Sequence, residues 1–279
     1  MTATATGPGA VLRALHEREG CFLIPNPWDV GSARMLTSMG FEALATTSAG
    51  MAFALGWQEG SVCLDDTLDH CRQLVDATSL PVSADLEKGF GDSPASVGET
   101  IRVAAETGLA GGSIEDHSGD RSKPIFDFGL AVERIAAAAE ASRSLSQDFV
   151  LTARAENFVW GRRDLDDTIR RLQAFSKAGA DVLYAPGLPD LDSVHRVCTE
   201  VDKPVNVVMG LSSTGFTVAQ LEAAGVKRIS VGASFARAAY GAFVTAAREV
   251  INDGSFTYAD SAIGFAEMNA FFKRGDSGR

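Results

Sequence analysis

Short apolar runs alternate with helix-spaced stretches along almost the whole chain, and this alternation limits the fold more than any other feature. The runs are Cys21–Ile24, Ala43–Thr46, Pro81–Ala84, Gly111–Ile114, Phe149–Ala153, Asp181–Tyr184, Pro204–Val208 and Arg228–Val231. They read as continuous apolar segments, the pattern of parallel strands covered by helices. Between them, helical spacing predicts Val30–Met39, Leu64–Thr78, Pro94–Thr107, Phe128–Ser144, Leu165–Ala178, Leu191–Glu200 and Val218–Ala224. Another helix is expected at Val11–Glu19, and two more, Phe235–Ile251 and Tyr258–Phe272, fill the C-terminal part, residues 235–279. Eight strand–helix units predict an α/β protein built as one (β/α)8 TIM barrel domain over residues 1–279, with additional C-terminal helices and a disordered start at 1–7. Such barrels take about 250 residues. A doubly wound open sheet is the competing architecture, and it lacks the expected GxGxxG after an early strand.

Hydrophobic residues make up 46% of the chain, enough for a sizeable core, and the formal charge of −11 argues against nucleic acid or an anionic membrane as partner. No run approaches the length of a membrane span. Cys21, Cys63, Cys71 and Cys198 show no CxxC spacing and no neighbouring histidine pair. Neither structural zinc nor a disulfide framework is expected, and reduced thiols in a cytoplasmic protein are the plain reading.

In such a barrel the chemistry sits at the C-terminal ends of the strands. There the chain carries acids: Asp85 and Glu87 after the third run, Glu115 and Asp116 after the fourth, and Arg154 with Glu156 after the fifth. Residues two apart on a strand share a face, so Asp85 and Glu87 are expected to point together. Hard oxygen donors grouped this way suit Mg²⁺ or Mn²⁺, with water completing an octahedron. The bland alternative has these acids capping helices or pairing with Lys88 and Arg102. The stretch TTSAGMAFALGWQEG, residues 46–60, reads as a long loop whose amides approach a ligand.

The segments SADLEKGFGD, GGSIEDH, LTARAENF and TTSAGMAFALG resemble the isocitrate lyase/phosphoenolpyruvate mutase superfamily, over a stretch from PNPWD to VGASFARAAYG. The resemblance implies a Mg²⁺-binding barrel that makes or breaks C–C or P–C bonds of small 2-oxo or 2-hydroxy carboxylates through an enolate. It implies Asp85 as direct metal ligand, Glu87 and Glu115 as acids holding the ion through water, and Glu59 where an aspartate is usual near those waters. It assigns Arg154 to a substrate carboxylate, with Ser48, Ala49 and Gly50 taking that carboxylate's other end. It also implies a homo-oligomer, dimer or tetramer, whose eighth helix is exchanged between neighbouring barrels.

Two departures narrow the reaction. Isocitrate and methylisocitrate lyases carry KxCGH in the loop after the fourth strand, whereas HSGDRSKPIFD has no cysteine to act as acid or base. Phosphonate mutases place a histidine after the sixth strand, where Pro186 stands. The expected function is therefore a Mg²⁺-dependent carbon–carbon lyase, most closely resembling an oxaloacetate decarboxylase, since loss of CO₂ needs no base to begin. Bound water, Tyr184 or His117 is then the proton donor. Competing readings are a hydrolase or retro-aldol lyase on a substituted malate or citrate, a P–C bond enzyme, and a non-catalytic binding protein. Asn206 and Trp28 are further candidates for the substrate pocket, beside Asn26 and Asp29. Gly210–Gly215 and Val231–Ser234 are Gly/Ser segments that cradle a phosphate in some barrels. His16, His70 and His195 read as structural or surface groups.

Overall fold

The computed structural model describes residues 7–210 and 215–273. Its strands are β1 (Phe22–Ile24), β2 (Leu44–Ala45), β3 (Val82–Asp85), β4 (Gly111–Glu115), β5 (Val150–Arg154), β6 (Val182–Tyr184), β7 (Val205–Val208) and β8 (Arg228–Ser230). All pair in parallel, in the order β1-β8-β7-β6-β5-β4-β3-β2. Between the two outer members, the Ala45 N–H donates to the Pro25 carbonyl at 3.0 Å. That bond brings β2 back beside β1, so the sheet is a nearly closed (β/α)8 barrel and the doubly wound alternative is ruled out.

Helices form between the strands where capping residues stop the extended chain. Asp29, Ser93, Asp164, Asp190 and Thr217 each accept a backbone N–H at a helix N-terminus. Leu165–Ala178 and Leu191–Glu200 begin and end where the spacing predicts. The first of these stops at Gly179, whose φ of 112° is left-handed and whose missing Cβ leaves room for Arg143.

The strands are less uniformly apolar than they read. Residues facing the helices, such as Val82, Ala84, Ile114, Leu151, Leu183, Val205 and Ile229, join one continuous core. Their neighbours on the barrel's inner face are polar: Ser83, Ser113, Thr152, Asn206, Arg228 and Ser230 are all buried. Lower down, the interior turns apolar. Phe22, Ile24, Val150 and Val182 pack there with Leu12 and Leu15 of the helix Pro8–Glu17, which plugs the barrel's N-terminal end. Above that plug the polar inner face lines a cavity at the C-terminal end.

Three expectations are corrected. Ser48–Ala54, inside the predicted loop, is a helix, because Thr47 caps it by accepting from the Gly50 amide at 3.2 Å. The predicted helix Tyr258–Phe272 is broken into a short 3₁₀ turn, Thr257–Ser261, and a helix, Phe265–Phe271. In the Val231–Ser234 segment the amides of Val231 and Gly232 both donate to Asn26 Oδ1 at 2.9 Å, so they are spent on a side chain rather than offered to a phosphate. The expected disorder at 1–7 falls almost wholly outside the described residues, as do positions 211–214 of the Gly210–Gly215 segment. All four cysteines are free. No helix among the described residues is long and apolar enough to cross a membrane.

Candidate active site

A cavity of about 840 Å³ opens at the C-terminal end of the barrel, lined in part by Ser48, Asp85, Glu115, Arg154 and Tyr184. The register explains the convergence. Asp85 is level with Ser113 on β4, Glu115 with Arg154 on β5, Arg154 with Tyr184 on β6, and Tyr184 with Asn206 on β7. Adjacent strands therefore deliver acid, base and amide side chains to one layer.

Arg154 is the hub of that layer. Its Nη1 donates to Asp85 Oδ1 at 3.1 Å, its Nη2 lies 3.2 Å from Glu115 Oε2, and its Nε donates to Glu156 Oε1 at 2.9 Å. Burial works against its charge, but Glu156, Glu115 and Asp85 together hold the guanidinium firmly protonated. Its face also lies over the Tyr184 ring, 4.8 Å from the centroid. Burial pushes the Tyr184 phenol well above its usual range, so it is a neutral hydrogen-bond donor at physiological pH.

The acids outnumber the cation. Burial, then Asp85 and Glu59, lift the Glu87 carboxyl to about 7, and burial followed by Asp85 raises Glu59. Glu115 is driven well above the usual carboxylate range, mainly by burial and against the pull of Arg154. The cations of the bland alternative are engaged elsewhere: Lys88 with Asp92 at 2.6 Å and Arg102 with Glu99 at 3.1 Å.

Asp85 and Glu87 do reach the same cavity, but not by strand alternation. Strand β3 ends at Asp85, and Glu87 sits beyond it with φ of 48°, a left-handed conformation for a residue that has a Cβ. Its carbonyl accepts from the Glu115 amide at 3.0 Å, which ties the turn to β4. Asp85 Oδ2 accepts from both the hydroxyl and the amide of Ser48, at 2.9 and 3.3 Å.

His117 and Asn206 line the cavity, as do Glu59 and Ala49. The His117 ring stacks on Trp160 with centroids 3.9 Å apart and 3° between planes. Its Nδ1 lies 2.8 Å from the Pro124 carbonyl, and since a carbonyl only accepts, Nδ1 carries the hydrogen. Nε2 is then the ring nitrogen left for proton exchange.

Gly50 and Trp28 stand behind the wall rather than in it. Gly50's amide is consumed by Thr47, and a Cβ at Gly50 would come within 2.9 Å of Trp28 Cβ and 2.6 Å of Thr47 Cγ2. The glycine is needed for that close approach, not to reach a carboxylate. Trp28 packs over it. Asn26 is also occupied internally, donating to the Thr46 carbonyl at 2.8 Å.

Sequence reasoning passed over several residues of this cavity. Glu156, named at the end of the fifth strand but given no role there, is the acid most intimately paired with Arg154. It is held in place by Asp116, whose Oδ1 accepts from the Glu156 amide at 2.8 Å while its Oδ2 takes Arg171 at 3.0 Å. Phe53, Val159 and Trp160 form an apolar rim. Arg228, at the start of β8 and level with Asn206 on β7, faces the same cavity. Nothing in KRIS distinguishes it from a surface arginine until the barrel closes.

The chain's relatives agree with this architecture. Residues 12–251 match the family described as Phosphoenolpyruvate phosphomutase. The 2-methylisocitrate lyase of Escherichia coli K12 is 30% identical over 229 residues, 78% of this chain and 76% of that protein. A solved structure from Burkholderia cenocepacia J2315, provisionally described as a lyase/mutase, is 55% identical over 96% of both chains, with a TM-score of 0.94. The structure of oxaloacetate acetylhydrolase in complex with its product oxalate is 26% identical, covers 95% of this chain and 93% of that one, and has a TM-score of 0.84.

Proposed function

The chain belongs to the phosphoenolpyruvate phosphomutase family, and from that premise we propose that it is a divalent-cation-dependent lyase cleaving a C–C bond of a small 2-oxo or 2-hydroxy dicarboxylate. Oxaloacetate decarboxylation is the simplest such reaction. The observation that carries the reading is the imbalance of charge around Arg154. One guanidinium faces Asp85, Glu115 and Glu156, with Glu87 and Glu59 close behind. Burial first, and neighbouring carboxylates after it, raise the proton affinity of Glu87, Glu59 and Glu115, and a hard dication would relieve that cost.

The donor set fits Mg²⁺, with Mn²⁺ as the other candidate. Among the described residues no three His, Cys, Asp or Glu side chains are close enough to hold an ion together. The proposed arrangement has the ion bound directly by Asp85 and through water by Glu87, Glu115 and Glu59, since Mg²⁺ usually keeps several waters. When bound, the ion supplies a Lewis acid for the negative charge that develops on the 2-oxo oxygen.

The protein's own groups do the rest. Ser48, with the Ala49 amide at the start of its helix, and Arg154 orient the carboxylate next to the carbonyl. Bond cleavage between C3 and C4 leaves the electron pair on the three-carbon fragment as an enolate, and a proton must then reach C3. His117 relays one from solvent, taken up on Nε2 and passed on to C3, while the Nδ1 hydrogen bond to the Pro124 carbonyl and the stacking on Trp160 hold the ring. Tyr184 donates a hydrogen bond. Phe53, Val159 and Trp160 limit water at the mouth.

Cleavage of a larger substituted malate is the second reading, favoured by the cavity's 840 Å³, which lies high in the range of about 300–1,000 Å³ for small-molecule sites. The phosphonate-cleaving alternative is disfavoured by Pro186, a cavity residue that neither donates nor accepts a proton. A non-catalytic binding protein is distinguished by assay. Purified protein incubated with oxaloacetate and Mg²⁺ should release CO₂ faster than the metal alone, and chelator should stop it. Turnover of substituted malates but not of oxaloacetate selects the second reading; no turnover of either selects the binding protein.

We also infer a homo-oligomer built by exchange of the helix Ser234–Asp253. Of its 20 residues only Ala236 is buried, Phe243 and Ile251 are 68% and 81% exposed, and Phe265 at the start of the next helix is 91% exposed. A face this apolar is suited to a second copy of the chain.

A further inference from the structure

A second arginine faces the cavity, and no carboxylate among the described residues pairs with it. Arg228 is 5% exposed. Its Nε donates to Asn206 Oδ1 at 2.8 Å and its Nη2 to Thr152 Oγ1 at 3.1 Å, both neutral acceptors. Its Nη1 is buried without a hydrogen-bond partner among the described residues. Arg154, by contrast, is met by three carboxylates. Burial, aided by repulsion from Arg154, draws the Arg228 guanidinium down to about 10, which still leaves it charged at neutral pH. A buried cation without a counter-charge is costly, and orphaned N–H groups are rare.

The groups around it share one polarity. Because Asn206 Oδ1 is taken by Arg228, the Asn206 amide turns its NH₂ toward Ser230, donating to Oγ at 3.1 Å. Its second amide hydrogen has no acceptor among the described residues. Ser230 Oγ, having accepted from Asn206, has its own hydrogen to give. Arg228 Nη1, Asn206 Nδ2 and Ser230 Oγ thus form a cluster of donors, and all three residues line the cavity. A cluster that only donates and carries one positive charge recognises an anion.

We propose that Arg228, Asn206 and Ser230 form an anion subsite in the barrel that takes the second carboxylate of a dicarboxylate substrate. The identity of the ligand as a substrate carboxylate rests on the lyase reading above; the subsite itself rests on the donor geometry. The 2-oxo acid end stays at Ser48 and Arg154, so the substrate spans the cavity between two guanidinium groups. A monocarboxylate reaches only one of them.

The test is calorimetric titration of the full-length protein with malonate, sulfate and pyruvate, comparing wild type with R228M and R228K. Malonate and sulfate should bind wild type, bind R228M at least 30-fold more weakly, and bind R228K with an intermediate affinity, while pyruvate binds all three within about threefold. Removing an unmatched buried cation for an apolar side chain should leave the melting temperature unchanged or raised. If R228M does not fold, R228K and R228Q carry the comparison. Absence of malonate binding to wild type, malonate binding unaffected by the substitutions, or equal losses for malonate and pyruvate would each overturn the subsite. Sulfate bound through Arg228 without malonate would also overturn it, as a site for inorganic anions. A protein that binds malonate through Arg228 yet cleaves neither oxaloacetate nor a substituted malate refutes the lyase reading and leaves the subsite standing.

Discussion

Ser48 and Asp85 are bonded to each other: the serine hydroxyl donates to Asp85 Oδ2 at 2.9 Å, and the serine amide adds a longer contact at 3.3 Å. The helix that begins at Ser48 thereby orients the carboxylate proposed to ligate the ion. Carboxylate-binding and ion-binding groups are one unit, so perturbing either should disturb both.

Asp85→Asn keeps the shape and the hydrogen bonds to Ser48 but removes the charge. Divalent-cation binding measured by calorimetry should weaken at least 100-fold. Binding of Mg²⁺ at wild-type affinity would reject Asp85 as ligand.

Arg154→Met removes the only cation in contact with Asp85, Glu115 and Glu156 among the described ion pairs. Leaving buried acids uncompensated should cost about 3–5 kcal/mol of unfolding free energy at neutral pH. Urea denaturation checks this, and added Mg²⁺ should restore part of the loss. A variant as stable as wild type would mean that the acids are already protonated or solvated.

His117→Gln keeps a polar side chain of similar reach but cannot carry a proton. Turnover should fall by about 10²–10⁴, the usual contribution of a positioned acid or base, with little change in KM. Trp160→Ala should have a smaller effect, acting through the ring's orientation. Unchanged kcat in His117→Gln would assign the proton to water or Tyr184.

His16 is buried with only its Nδ1 bonded, to the Leu12 carbonyl at 2.8 Å, and its neighbours include Arg228, Lys227 and Arg13. Burial, reinforced by the Arg228 charge, lowers it from 6.5 to about 3. The unfolded chain therefore binds a proton that the folded one refuses. The stability that depends on the neutral ring is complete above pH 6.5 and is lost as the pH falls from there toward 3, at up to about 1.4 kcal/mol per pH unit. His16→Leu should show a shallower decline in urea melts between pH 7 and 5. Parallel pH profiles would refute this.

Phe243→Asp combined with Ile251→Asp should convert the assembly to monomers in analytical ultracentrifugation, because two charges would stand on the face proposed to meet a second copy. A wild-type protein that sediments as a monomer would refute helix exchange.

The barrel was legible because its strands and helices are local. Leu165–Ala178 carries Asp164 as cap, Gly179 as stop and a 3.6-residue apolar stripe, and none of these signals depends on what lies across the molecule. Ser48–Ala54 was misread for the opposite reason. Its glycine and small residues resemble a loop, and they form a helix because Thr47 caps them and Trp28 and Ala236 crowd Gly50 from distant parts of the chain. The break between Thr257–Ser261 and Phe265–Phe271 was missed because the apolar periodicity runs across it.

For the site, the chain's order alone determined that acids and an arginine stand at successive strand ends, since strand boundaries and the parallel arrangement follow from local pattern. Which of them touch was decided only by closure of the barrel. Closure sets the stagger that places Glu115, Arg154, Tyr184 and Asn206 in one layer, bends Glu87 into reach through a left-handed turn, and turns Arg228 inward level with Asn206. Contacts between residues tens or hundreds of positions apart depend on that shared register, and register is a property of the whole sheet rather than of any segment within it.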